Sequence, residues 1–128
     1  MREKLSLHTD AWDLAMDLAN GIEEIIVIDT RRRDHYIAGH IPGAISLPHG
    51  EMTAERLALL DRSRVYISYC DGIGCNGSTW GAFKLASAGL RVKELLGGLD
   101  FWKRDGHPVA IGPSVGSLRN HTLTSCGC

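Results

Sequence analysis

The residues in this sequence that stand out for their chemistry are its four cysteines, which fall into two close pairs. Cys70 and Cys75 lie in the middle of the chain, and Cys126 and Cys128 lie at its end. Disulfides between such near neighbours close only short loops and stabilise a fold little. We therefore interpret these cysteines as reactive or ligating thiols rather than as structural cross-links.

Cys70 has the sequence surroundings of a nucleophile. It follows the run Val65–Tyr69, which predicts a buried strand, and it opens a glycine-rich loop that ends at Gly77. A helix capped by Ser78 or Thr79 comes next. Glycines that adopt positive φ and the free amides of a helix N-terminus together form a cradle for an anion. We expect this cradle to lower the pKa of the Cys70 thiol, because the thiolate is the nucleophilic form.

The same amides can stabilise the negative outer sulfur of a persulfide on Cys70. Glycine-rich loops after strands also bind nucleotide phosphates, but this loop matches neither GxGxxG nor GxxxxGK[ST]. The predicted substrate-binding residues, which contribute main-chain amides, are Asp71, Gly72, Ile73, Gly74, Cys75, Asn76, Gly77 and Ser78.

The elements that must position Cys70 alternate between strands and helices. Apolar and β-branched runs predict four strands, and amphipathic or capped segments predict the helices between them. This alternation predicts an α/β fold with a parallel sheet and helices on both faces, in which reactive groups lie at the carboxyl ends of strands. The predicted strands cover 25–28, 44–47, 65–69 and 92–96, and the predicted helices cover 10–20, 31–38, 53–60, 78–88 and 99–104.

The composition is that of a small globular domain with no strong charge bias. The chain has 128 residues, 44% hydrophobic and 23% charged, with a formal net charge of −1. This balance gives no reason to expect nucleic acid or a membrane surface as partner. The start of the sequence lacks an apolar signal region, so we expect a cytoplasmic protein. We predict one domain over 1–111 and a flexible C-terminal tail over 112–128.

Two segments resemble the signatures of rhodanese-like domains. Ile28–Arg31 followed by Tyr36–Ile45 resembles the first signature. Tyr69-Cys70 with its loop, then Leu95–Leu99, Trp102 and Gly106–Val109, resembles the second. The resemblance covers about residues 5 to 110, in order and at the spacing of the family. It implies a five-stranded parallel sheet with helices on both faces, and a catalytic role for Cys70.

In this family the active-site cysteine accepts a sulfane sulfur as a persulfide and passes it to a thiophilic acceptor. The resemblance therefore implies a double-displacement sulfurtransferase that needs no cofactor and no metal. The expected partners are a thiol acceptor and a sulfane-sulfur donor, which is a small persulfide, a protein persulfide or thiosulfate. We expect a monomer or a weak homodimer.

The chain departs from the family pattern in the active-site loop. The loop is about two residues longer than the common sulfurtransferase loop, and no Lys or Arg lies between Cys70 and Ser78. The related phosphatases and arsenate reductases end a longer loop in an arginine that binds the oxyanion, so its absence disfavours that chemistry. The carboxylate of Asp71 also disfavours the divalent thiosulfate as natural donor. His35 replaces a usually acidic residue, and we expect only a local effect.

The remaining thiols have open interpretations. Cys75 either resolves an oxidised or persulfidated Cys70 or serves only in packing. Cys126 and Cys128 are able to relay sulfur, form a redox dithiol or bind a soft metal, or they have no role. A zinc site made from both pairs lacks the usual CxxC spacing.

Three further residues are predicted to be structural and near the site. Asp29 and Arg31 are expected to form an ion pair, and the resemblance agrees with this role. His40, in a tight turn, is expected to be a hydrogen-bonding support rather than a general base. Trp80 is either a core residue or a wall of the pocket. The alternative functions are a cysteine-based redox or metal-binding module, a phosphatase-like or arsenate-reductase-like enzyme, and a catalytically silent interaction domain.

Overall fold

The fold alternates strands and helices in the order that the sequence predicted. It is known from a computed structural model, which describes residues 8–118. A 3₁₀ turn, His49–Glu51, interrupts the alternation after the third strand. The strands are β1 (His8–Thr9), β2 (Ile25–Asp29), β3 (Ile45–Ser46), β4 (Val65–Tyr69) and β5 (Arg91–Leu95); the helices are α1 (Ala11–Ala19), α2 (Arg33–Ala38), α3 (Ala54–Ala58), α4 (Gly77–Ser87) and α5 (Gly98–Arg104).

The five strands form one parallel sheet in the order β1-β5-β4-β2-β3. The two central strands, β2 and β4, pair over their full length, so that Asp29 is opposite Tyr69 at their carboxyl ends. The five-stranded α/β architecture is confirmed. The edge strand β1 was not predicted from the residue pattern, because His8–Thr9 is too short to show any periodicity.

Apolar side chains bury both faces of the sheet. Val27, Ile67 and Tyr69 pack against α1, α2 and α5 on one face. Ile28 and Tyr66, which point the opposite way, pack against α3 and α4 on the other face. A strand buried on both faces needs apolar residues without alternation, which is the pattern of β2 and β4. Two cores therefore hold the central strands rigid beneath the site.

The helix that follows the cysteine loop begins earlier than predicted. Its first residue is Gly77, and Asn76 is the N-cap, without a side-chain capping bond. The hydroxyls of Ser78 and Thr79 both donate to the carboxylate of Glu94 on β5, at 3.2 and 2.9 Å. The prediction that Ser78 or Thr79 caps this helix is therefore wrong, because a strand carboxylate competes for their hydroxyls.

Part of the predicted tail contacts the domain. The Gly43 amide donates to the Val115 carbonyl at 2.6 Å, and the Leu118 side chain is buried in the core beside α1, α2 and α5. The Gly112 amide also donates to the Ile37 carbonyl at 2.8 Å, so the predicted tail contacts the domain at Gly112, Val115 and Leu118, while 113–117 are exposed. Cys126 and Cys128 lie outside the described residues. Within 8–118, no helix is long and apolar enough to cross a membrane.

Candidate active site

The site lies where the carboxyl ends of β2, β3 and β4 meet. Thr30, His49 and Cys70 follow these three strands, and the His49 amide donates to the Thr30 carbonyl at 3.1 Å. A cavity of about 450 Å³ opens at this edge of the sheet. It is lined by Thr30, Arg31, Arg32, His35, Pro48, His49, Gly50, Glu51, Cys70, Asp71, Cys75 and Gly77.

Cys70 forms part of the wall between this cavity and a second one. The second cavity, of about 250 Å³, lies on the other side of the loop and is also lined by Cys70 and Cys75. The side chain of Cys70 is buried, with 5% of its surface exposed. It nevertheless belongs to neither hydrophobic core and lines both cavities.

Cys70 and Cys75 are joined by a disulfide, with their Cα atoms 6.4 Å apart. Cys75 is more exposed than Cys70 and belongs to neither hydrophobic core. Of the two interpretations of Cys75, the structure therefore favours the one in which it reaches the sulfur of Cys70.

Gly77 leaves room beside the Cys70 sulfur. A Cβ atom added to Gly77 would lie 3.0 Å from Cys70 Sγ, 3.4 Å from Thr30 Oγ1 and 3.5 Å from His49 Cδ2. The first contact is tight enough that a neighbour would have to shift slightly, and the other two are ordinary contacts. The absence of a side chain at Gly77 thus leaves space directly beside the Cys70 sulfur.

The other loop glycines have separate roles. Gly74 alone among the loop glycines has a positive φ, at 94°. A Cβ on Gly72 would instead overlap the Asp100 carboxylate. Of the three loop glycines that permit positive φ, Gly74 is therefore the one that uses it. In this disulfide-bonded form the Cys75 amide donates to the Gly72 carbonyl at 3.1 Å, so this amide closes a turn and does not face Cys70.

The start of the loop is fixed by α5. The amides of Leu99 and Asp100, in the first turn of α5, donate to the carbonyls of Cys70 and Asp71 at 3.0 and 2.7 Å. Gly98 allows this approach, since a Cβ there would overlap the Cys70 carbonyl oxygen, and its φ is 55°. The Gly97-Gly98 turn therefore sets the position of the cysteine backbone.

Arg31 connects the sheet to the loop, because it forms a buried ion pair with Asp29 and a second ion pair with Asp71. Its Nε and Nη2 donate to the carboxylate of Asp29 at 3.0 and 2.7 Å, and Nη2 also donates to the Gly39 carbonyl at 2.6 Å. Nη1 donates to Asp71 Oδ1 at 3.0 Å. Burial would lower the pKa of Arg31, but the hydrogen bond and charge of Asp29, together with the hydrogen bond to Asp71, raise it above the usual value. Arg31 therefore stays charged.

Tyr69 completes this buried network. Its hydroxyl donates to Asp29 Oδ2 at 2.7 Å and accepts the amide of Ile41 at 3.1 Å. Burial, followed by the negative charge of Asp29, raises the pKa of Tyr69 above its usual value. Asp29 thus accepts hydrogen bonds from the Arg31 guanidinium, the Arg31 amide and the Tyr69 hydroxyl, and its role is structural.

Cationic side chains reach the cavity from outside the cysteine loop. No cation lies within the loop, but Arg31 and Arg32 line the cavity from the segment after β2. Of the adjacent pair Arg32-Arg33, only Arg32 lines the cavity. Arg32 also forms an exposed ion pair with Asp34 at 3.3 Å, and Arg33 forms one with Glu51 at 2.9 Å. The cavity therefore has a mixed charge, with Asp71 and Glu51 opposing the two arginines.

Arg31 has little capacity left to bind an oxyanion. A guanidinium has five N–H donors. Four of them are used, by Asp29 at Nε and Nη2, by Gly39 at Nη2 and by Asp71 at Nη1. One N–H at Nη1 remains, which is too few for the bidentate grip that transfer of a phosphoryl group uses.

Two histidines that were not predicted to be site residues also line the cavity. His49 follows β3, and His35 lies in α2 with its Nδ1 3.9 Å from Asp71 Oδ2. His49 was missed, although its position after a strand at the carboxyl edge was a usable signal. His35 contributes to the wall of the cavity, and the prediction that its effect is local stays a prediction.

Two other predicted residues lie away from the cavity. His40 is fully buried, its ring stacks on Tyr36, and its nitrogens face the carbonyls of Tyr36 and Val115 at 2.8 and 3.2 Å. This is the supporting role that the sequence predicted. Trp80 is 55% exposed and lines neither cavity beside Cys70. Within 8–118, no three His, Cys, Asp or Glu side chains are grouped as metal ligands.

Comparisons with known proteins agree with this geometry. The family model of the rhodanese-like domain matches residues 13–105. The HTH-type transcriptional regulator Rv0324 of Mycobacterium tuberculosis is 40% identical over 73% of this chain, and the match spans only 41% of that regulator. The crystal structure of the BH2092 protein from Bacillus halodurans is 41% identical, with a TM-score of 0.83 over 88% of this chain and 82% of that one.

A thiosulfate sulfurtransferase from Pseudomonas aeruginosa shares the fold at 23% identity, with a TM-score of 0.70 over 96% of this chain and 23% of that one. The family match covers strands β2 to β5, the cysteine loop and the Gly97-Gly98 turn, and β1 lies before it. This chain belongs to the rhodanese-like domain family.

Proposed function

We propose that this chain is a sulfurtransferase in which Cys70 accepts a sulfane sulfur as a persulfide and passes it to a thiol. One observation supports this most directly. The Cys70 sulfur lies at the carboxyl end of β4, in the wall of two cavities, and beside space that Gly77 leaves open. A nucleophile that must carry one extra atom needs such space.

The reaction begins from the reduced cysteine. The Cys70 thiolate attacks the outer sulfur of a persulfide donor, a bond forms between that sulfur and Cys70 Sγ, and the donor leaves as a thiol. The positive end of α4, an eleven-residue helix whose first residue Gly77 adjoins the sulfur, favours negative charge there. An acceptor thiolate then attacks the outer sulfur and restores Cys70.

The donor class follows from the cavity. A volume of about 450 Å³ falls in the range of pockets for small organic ligands, and it exceeds what thiosulfate needs. Asp71 and Glu51 would repel a divalent anion, while Arg32 and His35 offer partners to a carboxylate on an organic donor. We therefore propose a low-mass organic persulfide as the donor. Phosphatase-like chemistry gains no support from Arg31, because its donors are committed to Asp29, Gly39 and Asp71.

The test measures thiocyanate formed from glutathione persulfide and cyanide by the reduced protein, above the rate without protein. We expect turnover that Cys70→Ser abolishes, and a higher kcat/KM with the organic persulfide than with thiosulfate. Turnover that survives Cys70→Ser would contradict the proposal. No turnover with either donor would favour a catalytically silent interaction domain.

A further inference from the structure

We propose that Cys75 is a second catalytic thiol, which converts the Cys70 persulfide into the Cys70–Cys75 disulfide and releases hydrogen sulfide. This inference rests on the proposed function, because it requires a persulfide on Cys70. It adds a second activity, in which the domain reduces a sulfane sulfur instead of handing it on.

Cys70 and Cys75 are close enough for their sulfur atoms to react. The two Cα atoms are 6.4 Å apart, within the range of 4.4–6.8 Å that disulfides span. The disulfide in the structure shows that the loop backbone brings Cys75 Sγ to Cys70 Sγ. The turn closed by Gly72 and the Cys75 amide, together with the positive φ of Gly74, folds the loop back so that this contact forms.

A purely structural role accounts poorly for Cys75. A disulfide between residues five positions apart constrains the unfolded chain little. Cys75 also lies outside both hydrophobic cores and lines both cavities beside Cys70. The pair thus stands at a reactive position, where a cross-link contributes little to stability.

The chemistry balances within the loop. The thiolate of Cys75 attacks Cys70 Sγ, which is the inner sulfur of the persulfide. A bond forms between the two cysteine sulfurs, and the bond from Cys70 Sγ to the outer sulfur breaks. The outer sulfur leaves as sulfide and takes up the proton that Cys75 gave up. The two cysteines are oxidised to a disulfide, and the sulfane sulfur is reduced to hydrogen sulfide.

A thiol of low mass or on a protein regenerates the pair. Because Cys70 is buried and Cys75 is more exposed, the incoming thiolate attacks Cys75 Sγ, and Cys70 leaves as the thiolate. A second thiol then releases Cys75 and is itself oxidised to a disulfide. Over one cycle, one persulfide and two thiols give one thiol, one hydrogen sulfide and one external disulfide.

The experiment follows one turnover of the full-length reduced protein. Wild type, Cys75→Ser, Cys75→Ala and the double variant Cys126→Ser/Cys128→Ser each receive one equivalent of glutathione persulfide, with no other thiol added. Released sulfide and intact mass are measured over time, and peptide mapping locates any disulfide.

We expect wild type and the double variant to release sulfide and to lose two hydrogens in mass through a Cys70–Cys75 bond. We expect both Cys75 variants to retain one added sulfur and to release sulfide at least about tenfold more slowly. Wild type that keeps its persulfide as long as Cys75→Ser would overturn the inference and leave the proposed function intact. Release that survives in Cys75→Ser but fails in the double variant would also overturn it. If no variant gains sulfur or releases sulfide, the proposed function fails as well.

Discussion

Arg31 donates from Nη1 to Asp71 Oδ1 at 3.0 Å, so the residue that follows Cys70 is tied to the segment after β2. Arg31 is itself held by the buried carboxylate of Asp29. The sheet therefore fixes the side of the loop nearest the nucleophile through side chains as well as through backbone. Asp71 also uses part of the positive charge that would otherwise face the cavity.

Asp71→Asn should improve the use of thiosulfate. The change removes a half-exposed negative charge from the cavity wall and leaves more of the Arg31 charge for an anion. Interactions of partly exposed charges are worth on the order of 1 kcal/mol, so we expect kcat/KM for thiosulfate to rise roughly three- to tenfold. Steady-state kinetics check this, with Glu55→Gln, on α3 outside the cavity, as the charge-matched control. An equal effect of both variants would contradict the local explanation.

Gly77→Ala should slow the loading of sulfur onto Cys70. The new Cβ would lie 3.0 Å from Cys70 Sγ and fill the space for the outer sulfur. Because Gly77 is helical, alanine suits its backbone, and the fold should persist. We expect at least about a tenfold loss in the rate of persulfide formation, since overpacking of this kind costs about 1–3 kcal/mol. Stopped-flow measurement of donor consumption tests it, with the thermal midpoint as control. An unchanged rate in a folded variant would refute the assigned role of Gly77.

Tyr69→Phe should destabilise the fold more than Tyr66→Phe. Loss of the Tyr69 hydroxyl leaves the Ile41 amide without its acceptor and removes a donor from the buried Asp29. We expect a loss of about 1.5–3 kcal/mol in the free energy of unfolding, as for hydrogen bonds to charged groups. The Tyr66 hydroxyl donates only to the Asp61 carbonyl, in a partly buried bond, and its loss should cost about 1 kcal/mol or less. Urea denaturation gives both values, and equal losses would argue against a special role of the Asp29 network.

His107 should make the protein less stable at mildly acidic pH. Its ring packs beside Trp102 at 4.7 Å and Trp12 at 5.6 Å between centroids, and its buried Nε2 has no hydrogen-bond partner among residues 8–118. Burial lowers the pKa of His107 below the usual 6.5. Between the lowered pKa and 6.5, the unfolded chain binds a proton that the folded chain does not, so stability falls as the pH drops through this window.

Above the window His107 stays neutral in both states, and its contribution no longer changes with pH. His107→Phe should flatten the change in the urea midpoint between about pH 7.5 and pH 5.5 relative to the wild type. An unchanged pH dependence in His107→Phe would contradict this assignment.

The strands that carry the site could be predicted because their patterns are strong. The β-branched run at Ile25–Asp29 and the run at Val65–Tyr69 are buried on both faces, so local composition and tertiary environment agree. The edge strand His8–Thr9 carries no such pattern, since its conformation depends on pairing with β5. The start of α4 was misplaced because Glu94, distant in sequence, takes the hydroxyls of Ser78 and Thr79.

The position of the nucleophile Cys70 could be predicted from the sequence, but most of the residues that line the cavity could not. The position of Cys70 between a strand and a helix is a local signal, and so is the bond between Asp29 and Arg31. The positions of Arg32 and Arg33 depend on the fold around them. Although the two residues are adjacent, Arg32 lines the cavity, whereas Arg33 forms an ion pair with Glu51. His49 could also have been predicted, because residues that follow parallel strands converge at one edge of the sheet. Only Cys70 was placed in the site on that ground.

The hydrogen bonds from Leu99 and Asp100 to the carbonyls of Cys70 and Asp71 have a mechanical consequence. They hold the first two residues of the loop on α5, whereas the backbone hydrogen bonds described for Gly72 to Asn76 are the turn bond from Cys75 to Gly72 and the helical bond from Trp80 to Asn76. We therefore expect a change between thiol, persulfide and disulfide to move the loop about a hinge just beyond Asp71. In such a change we expect Cys70 to keep its position and Cys75 to move.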